Sequence, residues 1–143
     1  MGFYCNSMPY ISKFLQENEV LEEFRKRFKD FPKGKVNKTE SPDFIIRVSK
    51  KKSVGVELTQ LTADKIEADH FFDNLKALLD KKEEKLNLYR KNILDEYWLI
   101  VYLYLGENII PQSILNKIEA YCFVTSFTKV FLFDIDGKKY WLL

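Results

Sequence analysis

One histidine, His70, stands in a chain of 143 residues, and that scarcity excludes a good deal of chemistry. Zinc sites of the HExxH type, zinc fingers and histidine-based metal nucleases all need several imidazoles at fixed spacing. Cysteine is nearly as rare. Cys5 and Cys122 are far apart and outside any CxxC spacing, which fits reduced cytoplasmic thiols better than a disulfide framework. The five glycines are scattered, so no Walker loop, dinucleotide fingerprint or nucleophile elbow can be assembled. The most apolar run, Trp98 to Leu105, is too short to span a bilayer as a helix. The N-terminus lacks a basic start followed by an apolar stretch, so no secretory leader is expected, and Asn6 occupies the position where a myristoylation signal needs Ser or Thr. Neither sign of charge dominates: the formal net charge is +2, and any contact with nucleic acid must rest on local basic patches. The expectation is a cytoplasmic protein with no membrane association.

What is present is bulk for packing. Apolar residues make up 46% and aromatic residues 15%, enough for one domain with a single core over residues 1–143. From about Ile11 to Phe31 the pattern is helical, with Phe14, Leu21, Phe24, Phe28 and Phe31 on one face, and Pro32 and Gly34 ending it. Residues 36–41 read as a linker or short edge strand. Two runs rich in β-branched residues follow, Ser41 to Val48 and Ser53 to Gln60, joined by the polar loop Ser49 to Lys52. A long helix is expected from about Ile66 to Ile93, then a buried strand from Tyr97 to Leu105. Pro111 suits the first turn of a helix running to about Ala120. Tyr121 to Thr125 is ambiguous, Lys129 to Ile135 reads as a strand, and Asp136-Gly137 is a tight-turn signal leading into Tyr140 to Leu143. The implied fold class is α/β, a three-layer-like mixed sheet flanked by helices.

The chemistry concentrates in the hairpin. If Val48 pairs with Val54, Ile45 falls opposite Glu57 and Asp43 opposite Thr59. Opposed residues share a face, so Asp43, Glu57 and Thr59 would lie on one side. Phe44, Ile46, Val48, Val54, Val56 and Leu58 would form a buried apolar side. Two carboxylates converging on one face repel each other, and they suit a divalent cation.

Pro42-Asp43 followed fourteen residues later by Glu57 resembles the signature of the PD-(D/E)xK nuclease superfamily. The departure is Thr59, which stands where that family has lysine. The element order matches the family's restriction-endonuclease-like core over residues 11 to 135. The resemblance implies metal-dependent hydrolysis of phosphodiester bonds, with Mg²⁺ or Mn²⁺ held by Asp43, Glu57 and the backbone carbonyl of Leu58. Thr59 could hydrogen-bond a ligand water but brings no charge. The missing charge has two sources in the long helix. Lys82 lies near the middle of a stripe formed by Phe71, Leu75, Leu78, Leu79, Leu86, Tyr89 and Ile93, where lysine is costly unless it reaches solvent or a carboxylate. Lys85 occupies the glutamine position of a Gln-x-x-x-Tyr helix motif found in part of the superfamily, with Tyr89 as its tyrosine. Glu17, on the apolar face of the first helix, could supply the additional acid that such nucleases place there, with Glu22 as the alternative. Gln60 is expected on the opposite face from Glu57, as a cap or a phosphate contact. Asp64 and Asp134 read as caps or strand-end residues, and His70 as structural or exposed.

The implied partner is nucleic acid, with DNA favoured over RNA. Arg25, Lys26, Arg27, Lys29, Lys33, Lys35 and Lys50 to Lys52 are available to hold its backbone. Specificity would have to come from loops, a homodimer or a protein partner. The rival expectation is a catalytically inactive nuclease-type fold that binds nucleic acid or a protein.

Overall fold

The computed structural model describes residues 9–62, 68–89 and 94–143. Asp64 and Ile93 lie outside these residues, as do the expected ends of the long helix. The chain divides into two compact units, Met1–Phe31 and Pro32–Leu143.

The first unit contains helix α1, Pro9–Arg27. Its buried positions, Glu17, Val20, Leu21 and Phe24, recur at helical spacing. Phe28 and Phe31 continue the same side in the turn beyond the helix, their rings 5.6 and 6.2 Å from that of Phe24. Phe14, expected on this face, is 50% exposed. Glu22 and Glu23 pair with Arg25, Lys26 and Arg27 one turn on, and these cations complement the helix C-terminus.

The second unit is a six-stranded mixed sheet with helices α2 and α3, so the chain is α/β. The strands are β1 (Lys35–Lys38), β2 (Phe44–Arg47), β3 (Ser53–Gln60), β4 (Glu96–Leu103), β5 (Lys129–Asp134) and β6 (Lys139–Leu142), and they lie in sequence order. The pairs β1–β2, β2–β3 and β5–β6 are antiparallel, whereas β3–β4 and β4–β5 are parallel. Parallel neighbours need crossovers, and these are supplied by α2 (Ala68–Tyr89) and α3 (Gln112–Ala120).

Register decides which side chains share a face. Glu57 pairs with Leu99 and Thr59 with Val101 across β3–β4, and Leu99 pairs with Val130 and Val101 with Leu132 across β4–β5. Gly55, Glu57 and Thr59 therefore lie on the face that carries Leu99, Val101, Val130 and Leu132. Those four strand residues form one buried cluster with Phe71, Phe72, Leu75 and Leu86 of α2 and Ile114 and Ile118 of α3. Both helices thus pack on the carboxylate-bearing side. Glu83 fixes α2 to the loop before β5, accepting hydrogen bonds from Thr125 Oγ1 at 2.8 Å and the Ser126 N–H at 2.6 Å. The opposite face carries Phe44, Ile46, Val54, Val56, Trp98, Ile100, Phe131 and Phe133, all buried. Central strands covered on both sides read as near-continuous apolar runs, which is the character of Trp98 to Leu103.

The hairpin departs from the expected register. Phe44 pairs with Val56 and Ile46 with Val54, and the Val48 N–H donates to the Lys52 carbonyl at 3.0 Å. The loop is therefore Ser49–Lys51, tightened by the Lys51 N–H donating to Ser49 Oγ at 3.2 Å. The pairing has moved by two residues from the Val48–Val54 alignment. An even slip keeps every side chain on its face, so the face assignment stands while the partners change. Val48 is the exception: beside the loop rather than inside the sheet, it is 37% exposed. At the far end of the sheet the turn signal holds. Asp134 Oδ1 accepts from the Gly137 N–H at 3.0 Å, and a Cβ on Gly137 would sit 2.3 Å from Asp134 Oδ2.

Candidate functional site

Continuing the β2–β3 ladder one residue beyond Phe44 and Val56 sets Asp43 across from Glu57. The two carboxylates expected on one face are thus direct neighbours, and Thr59 lies one step further along that face.

The backbone around Asp43 explains how it is held. Since Val48 and Lys52 form a hydrogen-bonded pair, alternation makes Ile46–Val54 and Phe44–Val56 hydrogen-bonded pairs, with Pro42–Leu58 the next. That position cannot close normally. Proline has no N–H to offer the Leu58 carbonyl, and the Pro42 carbonyl accepts from Thr39 Oγ1 instead. The Asp43 carboxylate takes over: its Oδ2 accepts from the Leu58 N–H at 2.8 Å. Leu58 is left with its N–H satisfied by a side chain and its carbonyl without a ladder donor from Pro42. Pro42 itself is pinned, because a Cβ on Gly55 would lie 2.8 Å from its Cγ and 2.7 Å from Leu94 Cδ1. Only glycine permits that approach.

Glu57 is more deeply placed than Asp43. It is 4% exposed, and its Oε2 is buried without a hydrogen-bond partner among the described residues. A buried, unsatisfied carboxylate oxygen is costly, and such atoms are rare in folded proteins. Its presence beside Asp43 and the Leu58 carbonyl is the strongest functional signal in the chain. The two carboxylates and the Leu58 carbonyl are hard oxygen donors of the kind Mg²⁺ takes, an ion that binds through one or two carboxylates and completes its shell with water or phosphate. No cluster of three or more His, Cys, Asp or Glu side chains that could share a metal occurs among the described residues.

The candidate cations are distributed unevenly. Lys82 is half-buried, in line with the buried Leu75 and Leu86 on the side of α2 that packs on the sheet, whereas Lys85 is exposed. Among the described residues neither forms an ion pair with Asp43 or Glu57. A lysine that sequence reasoning passed over does approach the site. Lys38 Nζ lies 3.8 Å from Asp43 Oδ1 and donates to the carbonyls of Thr39 and Asp43 at 3.0 and 3.2 Å. Its signal was the end position on β1, which becomes meaningful only once β1 is known to pair with β2. Glu17 lies on α1 in the helical unit and is 6% exposed, while Glu22 is exposed and pairs with Arg25 at 3.5 Å. Gln60 and His70 are exposed.

A groove of about 530 Å³ lies elsewhere, between α3 and β6, lined by Leu115, Ile118, Glu119, Tyr140 and Trp141. No membrane-crossing helix, by length and apolarity, occurs among the described residues. Comparison with known proteins returns no match, whether to a family model, a curated protein or a solved structure.

Proposed function

We propose that the chain is a metal-dependent phosphodiesterase acting on nucleic acid, built on a restriction-endonuclease-like core. The observation that carries this reading is the buried Oε2 of Glu57, unpartnered among the described residues, directly across the ladder from Asp43 and next to a Leu58 carbonyl that Pro42 cannot serve. Asp43, Glu57 and the Leu58 carbonyl would hold Mg²⁺ or Mn²⁺. When bound, the ion supplies Lewis-acid polarisation of the scissile phosphate and lowers the pKa of a bound water. The protein's own groups do the rest. Lys82, or Lys85 after a change of its exposed rotamer, offsets negative charge developing on the phosphate. The Thr59 hydroxyl orients water without contributing charge. The Leu58 N–H fixes the Asp43 carboxylate before substrate arrives, so its position is set in advance.

A second reading, a nuclease-type fold that binds without cutting, is favoured by one observation. Asp43 already has Lys38 within 3.8 Å, and that cation competes with a metal ion for the same carboxylate. Titration calorimetry with Mn²⁺ decides between them together with a cleavage assay. The phosphodiesterase binds Mn²⁺, loses it in Asp43→Ala and Glu57→Ala, and cuts plasmid or oligonucleotide only when the metal is present. Wild type that neither binds Mn²⁺ nor cuts leaves the binding reading.

A further inference from the structure

On β1, β2 and the β2–β3 loop, Lys33, Lys35, Arg47, Lys50 and Lys51 are all exposed, and none has a carboxylate partner among the described residues. Their neighbours differ: Lys38 pairs with Asp43, and Lys52 pairs with Glu96 at 2.9 Å. The basic run on α1 is likewise engaged by Glu22 and Glu23. Five unpaired cations therefore gather at one end of one sheet edge.

Two features mark this as more than a solvated surface. Lys35 and Arg47 are direct partners across β1–β2, an arrangement of like charges that destabilises a sheet unless an anion offsets it. Lysine on β1 alone would be accounted for by protection of an edge strand, but Arg47 belongs to the second strand and Lys50 and Lys51 to the loop. The backbone is also shaped to hold the group together. A Cβ on Gly34 would fall 2.1 Å from the Arg47 carbonyl oxygen, so the chain presses glycine against Arg47 and sets Lys33 and Lys35 on either side of the contact.

Alternation along β2 places Arg47 on the same face as Asp43. The two are separated by roughly 14 Å, four residues at about 3.4 Å each, comparable to the rise of about four base pairs at about 3.4 Å each. We infer that the β1–β2 edge is a docking track for the phosphate backbone of nucleic acid, with Lys35, Arg47, Lys50 and Lys51 as its contacts. The track leads toward the carboxylate pair; its role in cleavage rests on the phosphodiesterase reading, whereas binding does not. A lipid surface fits less well, because reversible membrane attachment adds an apolar face to the basic one, and Val48, 37% exposed, is the one exposed large apolar side chain among residues 32–62. Phosphate contacts of this kind position a duplex without reading its sequence.

The test is fluorescence anisotropy with a labelled DNA duplex in EDTA, over a series of salt concentrations, using wild type, Lys139→Gln on the opposite edge strand, and the combined variant Lys35→Gln/Arg47→Gln/Lys50→Gln/Lys51→Gln. Wild type and Lys139→Gln should bind alike. The combined variant should bind at least about tenfold more weakly at low salt, with the slope of log K against log salt reduced by about 3 to 4, since each lost phosphate contact removes about 0.9. Circular dichroism and thermal melting check that the variant remains folded, and relief of the Lys35–Arg47 repulsion predicts an unchanged or higher Tm. An unchanged slope in the folded variant overturns the track while leaving the metal site standing. So does failure of wild type to bind duplex, or binding to phosphatidylserine vesicles in its place. Salt-dependent binding lost in the combined variant, in a protein that never cuts with Mn²⁺, supports the track and removes the phosphodiesterase.

Discussion

Asp43 and Leu58 are joined by a 2.8 Å hydrogen bond in which a side-chain carboxylate replaces the backbone carbonyl that a regular antiparallel ladder would use. The substitution follows from proline at position 42. It both orients the carboxylate and leaves the Leu58 carbonyl beside it without a ladder donor from Pro42. A sheet defect and the proposed ligand set therefore have the same origin.

This relationship separates the structural role of Asp43 from its proposed role as a metal ligand. Asp43→Asn keeps an acceptor for the Leu58 N–H and should cost little stability, whereas Asp43→Ala leaves that N–H unsatisfied and should cost about 1–3 kcal/mol. Both should abolish Mn²⁺ binding. Denaturant unfolding of the two variants alongside calorimetry separates the effects, and equal stability losses would show that the Leu58 contact contributes nothing.

Glu57 should behave in the opposite sense. Its buried Oε2 has no partner among the described residues, so the carboxylate is a liability in the metal-free protein. Replacing such a group by an apolar residue of similar size tends to be neutral or stabilising. Glu57→Leu should therefore melt at or above wild type in EDTA. With Mn²⁺ at about 100 times its Kd, wild type should gain about 2.7 kcal/mol and the variant nothing. Melting curves with and without Mn²⁺ test this directly, and a Glu57→Leu protein that melts well below wild type in EDTA would assign Glu57 a structural role.

How far the sequence reveals this arrangement depends on which physical rule governs each part. Alternation of period two puts Phe44, Ile46, Val54, Val56 and Leu58 on one side and Asp43 and Glu57 on the other, and it survives an error in register because that error is even. The register itself depends on whether the chain turns at Ser49–Lys51 or over two more residues, a choice made by hydrogen bonds within the loop that composition does not encode. The position of α2 on the carboxylate side follows from its stripe of Phe71, Leu75 and Leu86, the stripe that also carries Lys82. Lys38 was invisible for a different reason. Four residues of mixed polarity announce an edge strand only weakly, and a lysine at its end gains meaning from a partner strand that must be placed first.

The two helix lysines should separate cleanly in activity. Lys82 is half-buried on the packed side of α2 and Lys85 is exposed. If Lys82 supplies the charge that Thr59 lacks, Lys82→Ala should lower kcat by about 10²–10³, the usual cost of removing one electrostatic donor from a transition state. Lys85→Ala should remain within about threefold of wild type, as expected for a solvated side chain outside the site. Single-turnover cleavage under saturating Mg²⁺ measures both. The reverse pattern would assign the role to Lys85 and favour its motif register over the position of Lys82 on the helix.

Glu96, at the start of β4, ties acid stability to its pairing with Lys52. Burial of Glu96 raises its carboxyl pKa, but the Lys52 ammonium at 2.9 Å, the Trp98 Nε1–H at 3.1 Å and the nearby Lys129 charge together outweigh that effect and hold it below its ordinary value. A carboxyl with a lowered folded-state pKa binds its proton more weakly than in the unfolded chain, so it stabilises the fold once pH exceeds the ordinary glutamate range. That stability is lost as pH falls through the ordinary value toward the lowered one. Lys52→Met removes the largest of the favourable partners, so the Glu96 pKa should rise and the variant should lose stability relative to wild type at neutral pH. The difference should narrow as the solution is acidified through the carboxylate range. Chemical denaturation at a series of pH values reads this out, with Lys50→Met, a neighbouring exposed lysine, as the control whose stability difference should not follow the same curve. A Lys52→Met difference that stays constant with pH would remove Glu96 as the cause.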